Sequence, residues 1–286
     1  MFLKIAIAMI AFAANSVLCR LALTGEQIDP MSFSLIRVLS GVAVLFVLYL
    51  LYQKKNHLNQ DKIEWSFKNG LFLATYIVAF SLAYLKIDAG VGALLLFGTV
   101  QISMIIYGIF HGESINLKRG LGLVIALSGI IFLLLPGANT PNLFYAAIMV
   151  LSGLAWAGYS ISGKSMQNPL LSTFANFVVA TPLILCAFLF FKQDIFLFKK
   201  GVILAILSGG LASSGAYVLW YSIVKKIDRI TASTVQLSVP CLAIIGGTLF
   251  IGELLSLRII MSTIAVLFGI ILVIFSTAAA KPVLSK

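Results

Sequence analysis

The sequence predicts an all-α integral membrane fold of ten transmembrane helices, arranged as two inverted five-helix repeats around a central cavity. Three observations carry that prediction. First, 61% of the 286 residues are hydrophobic and only 10% charged, at a mean hydropathy of +1.09, whereas a soluble domain carries about 25% charged residues. Second, ten apolar segments long enough to cross a bilayer core follow one another. Third, one pattern recurs at an interval of 140: Lys86-Ile87-Asp88, Phe110, Gly112-Glu113, Leu117, Leu127 and Gly129-Ile130-Ile131 return as Lys226-Ile227-Asp228, Phe250, Gly252-Glu253, Leu257, Leu267 and Gly269-Ile270-Ile271. Apolar matches are cheap in such a chain, but matches at Lys, Asp, Glu and paired Gly are not. An internal duplication of this kind marks membrane carriers built from two repeats.

The predicted spans cover 2–23, 31–52, 66–85, 90–111, 116–135, 142–164, 170–191, 200–224, 230–251 and 256–279. The first follows Lys4 and resembles a signal peptide. No small-residue cleavage site with a polar region behind it follows, so it reads as a retained helix. Pro30 and Pro169 open the second and seventh spans, where a missing N–H costs nothing. Asn116 and Ser256 are N-cap residues for the fifth and tenth, at matching repeat positions. Pro136-Gly137-Ala138-Asn139-Thr140-Pro141 is the clearest turn-like separator. It divides a first repeat, 1–135, from a linker, 136–141, a second repeat, 142–280, and a tail, 281–286. Pro182 and Pro240 interrupt the seventh and ninth spans, as hinges or as packing kinks. Ser208-Gly209-Gly210 and Ser213-Ser214-Gly215-Ala216 give the eighth a face for close approach or a bend.

Orientation follows from the 20 Lys and Arg. Six (Arg20, Lys86, Lys192, Lys199, Lys200 and Arg258) fall on one side, Arg37 lies within a span, and the remaining 13 share the side of the N-terminus. The bias puts both termini in the cytoplasm of a plasma (inner) membrane. Five helices per repeat is an odd number, so the second repeat enters from the opposite side. The net charge of +11 therefore records topology rather than nucleic-acid binding. Cys19, Cys186 and Cys241 lie far apart inside apolar segments, without metal or disulfide spacing. The only histidines, His57 and His111, sit in a loop and at a helix end. With no His/Asp/Glu cluster at membrane depth, no catalytic residue, metal or cofactor is expected and an enzyme is disfavoured.

The first helix reads Phe12-Ala13-Ala14-Asn15-Ser16-Val17-Leu18-Cys19-Arg20 and the sixth Trp156-Ala157-Gly158-Tyr159-Ser160-Ile161-Ser162-Gly163-Lys164, each with a basic residue eight positions after an aromatic. With Pro30 and Pro169 following, and the Gly-Glu pairs before helices that end in Gly-Ile-Ile, the chain resembles the EamA-type transporters of the drug/metabolite transporter superfamily over nearly its whole length. The resemblance implies ten helices, a central cavity and alternating access, with substrates ranging from amino acids and phosphorylated metabolites to cationic drugs. Phe12-Ala13 stands where the family often has Trp-Gly, so a contact made by that Trp is not carried over.

Arg37 is the sharpest candidate for substrate binding. It lies six residues into its predicted span, ~9 Å below the start, where a charge costs ~2.5–3.5 kcal/mol on insertion scales and normally faces a cavity or a partner. It reads as an anchor for a carboxylate or phosphate, or as a snorkelling structural residue. Asn15 and Tyr159 occupy equivalent places in the two motifs. Gln101 and Gln236 lie in the fourth and ninth spans. Tyr76 and Phe80 share a face of the third helix with Tyr84, and Tyr217 and Trp220 of the eighth with Tyr221. Together with Trp156 these are the candidate substrate-binding residues, although interfacial belts and helix–helix hydrogen bonds account for the same pattern. Arg20 and Lys164 read as mirrored gates or as anchors at opposite interfaces. Glu113 and Glu253 read as structural, at the connections to the fifth and tenth helices and close to Lys118 and Arg258. No Asp or Glu falls in the central part of a span, which lowers the odds of coupling through a buried acid. The expected partners are a small-molecule substrate and the lipid bilayer, with monomer and homodimer both open. The function expected is export of an amino acid or related zwitterion or anion. The rivals are efflux of drug cations, which an Arg in the cavity disfavours, and a non-transporting membrane partner protein.

Overall fold

The computed structural model describes residues 1–55, 62–112, 116–135, 141–190 and 195–277. The predicted linker (apart from Pro141), the tail, Glu113, His57 and Lys192 lie outside the described residues. Among the described residues there is no strand, only an isolated bridge between Ile28 and Leu197. Ten helical segments form: α1 Phe2–Thr24, α2 Pro30–Lys55, α3 Phe67–Ala83, α4 Ala89–Phe110, α5 Leu117–Leu134, α6 Leu143–Gly163, α7 Pro169–Phe190, α8 Lys199–Val224, α9 as Arg229–Gln236 and Ser238–Ile251, and α10 Leu257–Thr277. Six of them (α1, α2, α4, α6, α7 and α8) are long and apolar enough to cross a membrane, and α3, the second part of α9 and Leu257–Gly269 of α10 are shorter apolar helices.

The caps form as the sequence predicts: the Asn116 side chain accepts from the Arg119 N–H, and the Ser256 hydroxyl from the Ile259 N–H at 3.2 Å. Two helices depart from a continuous α-form. In α8 a π-turn spans Ser208–Ser213. A Cβ on Gly209 would stand 1.9 Å from the Arg37 carbonyl oxygen, so glycine lets α8 press directly on the α2 backbone. In α9 the helix breaks at Leu237, because Pro240 lacks the N–H that the Gln236 carbonyl four residues earlier would accept. Pro182, in contrast, is absorbed inside α7.

Interhelical bonds gather the connections at two ends of the bundle. At the first end Arg20 reaches the α3–α4 turn and the α9–α10 loop, and the Phe198 N–H donates to the Gln27 carbonyl. At the second, Lys164 and Lys225 join the α6–α7 and α8–α9 turns. α2 packs along α7 and α8, α3 along α6 and α7, and α4 along α6 and α9. α5 and α10 pack against each other, and there the repeated glycines explain themselves. A Cβ on Gly269 would meet the Gly122 carbonyl at 2.4 Å, and one on Gly129 the Ser262 carbonyl at 2.9 Å. Small residues permit this approach where lipid offers no hydrophobic drive for association.

Candidate functional site

The centre of the bundle holds a positive charge. Arg37 is fully buried and does not snorkel. Its Nε donates to the Ser213 hydroxyl at 3.1 Å, and its Nη2 to the hydroxyls of Tyr76 (3.1 Å) and Tyr217 (2.8 Å). The guanidinium lies 4.9 Å from the Phe80 ring centre and 5.3 Å from that of Tyr76. Nη1 has no hydrogen-bond partner, and no Asp or Glu forms an ion pair with Arg37 among the described residues. Hydroxyls and ring faces stabilise a cation without neutralising it. A buried charge so placed is costly unless an anion completes it.

Aromatic and amide side chains from both halves of the chain surround it. Asn15 donates to the Tyr76 hydroxyl at 3.3 Å and accepts from the Ser208 hydroxyl, whose residue sits in the π-turn. Trp156 lies 4.9 Å from the Tyr76 ring, 4.8 Å from Tyr217 and 5.4 Å from Tyr159, and its indole N–H donates to Gln236 at 2.7 Å. Trp220 donates to the Ser160 hydroxyl at 3.1 Å. Phe12 meets Trp156, Tyr217 and Trp220 edge-on. Of the candidates named from the sequence, Arg37, Asn15, Tyr76, Phe80, Trp156, Tyr159, Tyr217, Trp220 and Gln236 thus form one connected cluster. Gln101 is buried on α4, which packs against α6 and α9. Tyr84 and Tyr221 are inside the bundle rather than in an interfacial belt: both are fully buried, with hydroxyls donating to the Ala89 and Tyr159 carbonyls.

Ser213, Ser208 and Asn176 also belong to the cluster and were missed from the sequence. The serines read there only as a small-residue face. Asn176 was legible in principle: it is the seventh residue after Pro169, as Arg37 is the seventh after Pro30. It is fully buried, and its amide nitrogen donates to the hydroxyls of Tyr159 (3.5 Å) and Tyr221 (3.4 Å).

The two ends differ in strength. Arg20 donates to the Tyr84 and Leu85 carbonyls (2.9 and 3.1 Å), to Asp88 at 3.3 Å and to Glu253 at 3.3 Å. Both Glu253 oxygens also accept from the Ala89 N–H at the start of α4, each at 2.9 Å. Glu253 therefore bonds across the bundle rather than to Arg258, its neighbour in sequence. Burial pushes its carboxyl above the ordinary range, and the Ala89 N–H and the Arg20 guanidinium hold it partly back. At the other end Lys164 donates, among the described residues, to the Ile227 carbonyl alone, at 3.1 Å. A cleft of about 590 Å³ opens at each end, one beside Lys86, Asp88, Asn142 and Glu253, the other beside Lys68, Phe72, Tyr107 and Lys164. Between them the predicted central cavity is filled by the aromatic cluster, whose rings are at most 5% exposed.

This bundle has known counterparts. A solved crystal structure superposes with a TM-score of 0.68, covering 96% of this chain and 99% of its own at 13% sequence identity, which speaks for the fold alone. An uncharacterized protein of Pseudomonas aeruginosa is 42% identical over 268 residues, 94% of this chain and 92% of that protein. An uncharacterized transporter of Archaeoglobus fulgidus is 27% identical over 74% of this chain and 80% of its own length. The uncharacterized transporter YoaV of Bacillus subtilis is 22% identical over 90% of this chain and 91% of its own. The EamA-like transporter family model matches residues 1–135 and again 143–275. A multi-pass helical bundle with a polar, cationic core, matched along its whole length by that model, belongs to the EamA-like transporter family.

Proposed function

We propose that this chain exports a small organic metabolite bearing a carboxylate, an amino acid or a related zwitterion or anion, across the plasma (inner) membrane. The carrier works by alternating access: two inverted five-helix repeats, 1–135 and 142–280, rock about a site at Arg37, with both termini in the cytoplasm. The observation that carries this reading is the unpartnered Nη1 of a fully buried guanidinium that has no acidic partner among the described residues. A carboxylate arriving there supplies the missing acceptor and the missing charge together, by a charge-assisted hydrogen bond. A drug cation would meet an uncompensated like charge instead. Arg20 with Asp88 and Glu253 closes one end and Lys164 the other, as gates that open in turn.

The test compares metabolites in the medium of cells lacking the protein, overproducing it, and overproducing Arg37→Ala at matched membrane levels. Amino acids or other carboxylates accumulating with wild type but not with Arg37→Ala are the expected result. Three identical media would turn the reading to uptake, drug efflux or a role without transport.

A further inference from the structure

Several buried side-chain atoms have no hydrogen-bond partner among the described residues, and one of them lies in the aromatic cluster and is of opposite polarity to Arg37 Nη1. The Asn176 amide oxygen has no hydrogen-bond donor among the described residues, although the residue is fully buried. Its orientation is set by its neighbours. The Tyr221 hydroxyl donates to the Tyr159 carbonyl at 3.2 Å and accepts from the Asn176 amide nitrogen, which faces both tyrosines. The oxygen is left as an acceptor without a donor, which is costly in a low-dielectric core.

The offset between the two residues along the bundle can be read from the α2–α7 packing. These helices are antiparallel neighbours: Gly41 lies against Phe177, and the Tyr52 hydroxyl accepts from Asn168 at 3.0 Å. That register sets Arg37 level with Pro182, six residues from Asn176, or ~9 Å along the helix axis. Flat rings pack in the interval, so a ligand that parts them meets flat faces: Tyr217, bonded to Arg37, lies 6.2 Å from Tyr159, and Trp156 packs on both.

We propose that Asn176 is the far end of the substrate site, and that the substrate is an elongated organic acid with a flat body and a hydrogen-bond donor remote from its carboxylate. This rests on the carboxylate reading of Arg37 and narrows it. The α-ammonium of an amino acid sits one carbon from the carboxylate and cannot span the interval, so Asn176 reads a hydroxyl, amide or amine at the opposite end. A site with a buried unpaired acceptor rejects an analogue lacking the donor, because that analogue leaves the acceptor unsatisfied.

Equilibrium binding to the purified full-length protein in lipid nanodiscs tests this with three probes: L-tyrosine, L-phenylalanine, which differs only by the phenolic hydroxyl, and L-alanine as a short control. Wild type is expected to bind tyrosine at least about fivefold tighter than phenylalanine, the worth of one net hydrogen bond, and alanine weakest. Asn176→Leu brings the tyrosine-to-phenylalanine ratio to about one without weakening phenylalanine, and Arg37→Ala removes binding of both. Should Asn176→Leu fail to fold, Asn176→Ala removes the same acceptor. Phenylalanine binding that depends on Arg37, with no tyrosine preference in wild type or an unchanged preference in the Asn176 variants, overturns this inference and leaves the carboxylate site standing. Absence of binding by all three probes overturns both.

Discussion

The two halves of this chain put different chemistry at corresponding places. Seven residues after the opening proline, the first half has a cation and the second a neutral amide, Arg37 against Asn176. At the ends of the motif helices, Arg20 engages two carboxylates and two carbonyls, whereas Lys164 engages one carbonyl. Where α8 crosses α2, Gly209 would place a Cβ 1.9 Å from a backbone carbonyl. Where α3 crosses α7, Gly70 would place one 2.3 Å from a Val179 side chain. The pattern that recurs at an interval of 140 sets similar positions, and differences at a few others give the first half the buried guanidinium and the more heavily bonded end residue. The comparison teaches that similar helices need not carry similar chemistry: the buried cation lies in the first half and the buried amide with the orphaned oxygen in the second.

The largest expected effect is at Arg37, where function and stability part company. Replacing Arg37 with Met abolishes carboxylate binding, yet leaves the unliganded protein as stable or more so, by about 1 kcal/mol, because an uncompensated buried charge is removed. A thermal unfolding series with and without ligand reads both effects, and a strongly destabilised Arg37→Met protein would show that the guanidinium is structural. Next come the helix crossings. Gly209→Ala is expected to cost about 2–3 kcal/mol, since a backbone carbonyl must give way, and Gly70→Ala a comparable amount, because the Val179 Cβ would stand 2.7 Å away and moves only with its backbone. Gly215→Ala, with no atom within 4 Å of the new Cβ, is neutral or slightly stabilising through helix propensity. Equal melting shifts for Gly209 and Gly215 would break the assignment of the α2–α8 contact.

The latches give a smaller effect. Arg20→Met is expected to cost about 1–2 kcal/mol, since its partners are partly solvated, and to raise the solvent reactivity of a cysteine introduced at Val91, which lines the cleft beside Glu253. Lys164→Met, losing one carbonyl contact, costs under about 1 kcal/mol. Equal losses in the two variants would erase the asymmetry. Beside the site, Ser160→Ala is expected to strand the buried Trp220 indole N–H at a cost of about 1–3 kcal/mol, and to shift the tryptophan emission while binding of carboxylates persists.

Much of the site was legible because polar residues inside apolar spans are rare and each demands a partner. Arg37, Asn15 and Gln236 stood out on that ground alone, and the aromatic faces of α3 and α8 followed from helical spacing. Asn176 escaped notice because one amide beside a strong Arg signal draws no attention unless the two prolines are aligned. Glu253 was read beside its sequence neighbour Arg258, but a loop carboxylate takes whatever partner folding brings, here the Arg20 guanidinium and the α4 N-terminus. The π-turn in α8 was invisible, since Ser-Gly-Gly is equally compatible with a bend, a close crossing or a plain helix.

The sequence by itself determined that this is a multi-pass helical membrane protein, where its helices begin, and which few side chains must find partners inside. Apolar length, proline placement and N-cap chemistry are local properties, and lipid leaves a spanning backbone only the helix or the closed barrel, of which spans of about 20 apolar residues select the helix. Only the tertiary structure decided who those partners are. Whether a guanidinium meets hydroxyls or a carboxylate, and which buried atoms are left without a partner, depends on how α2 crosses α7 and α8, and so on contacts between residues more than a hundred positions apart.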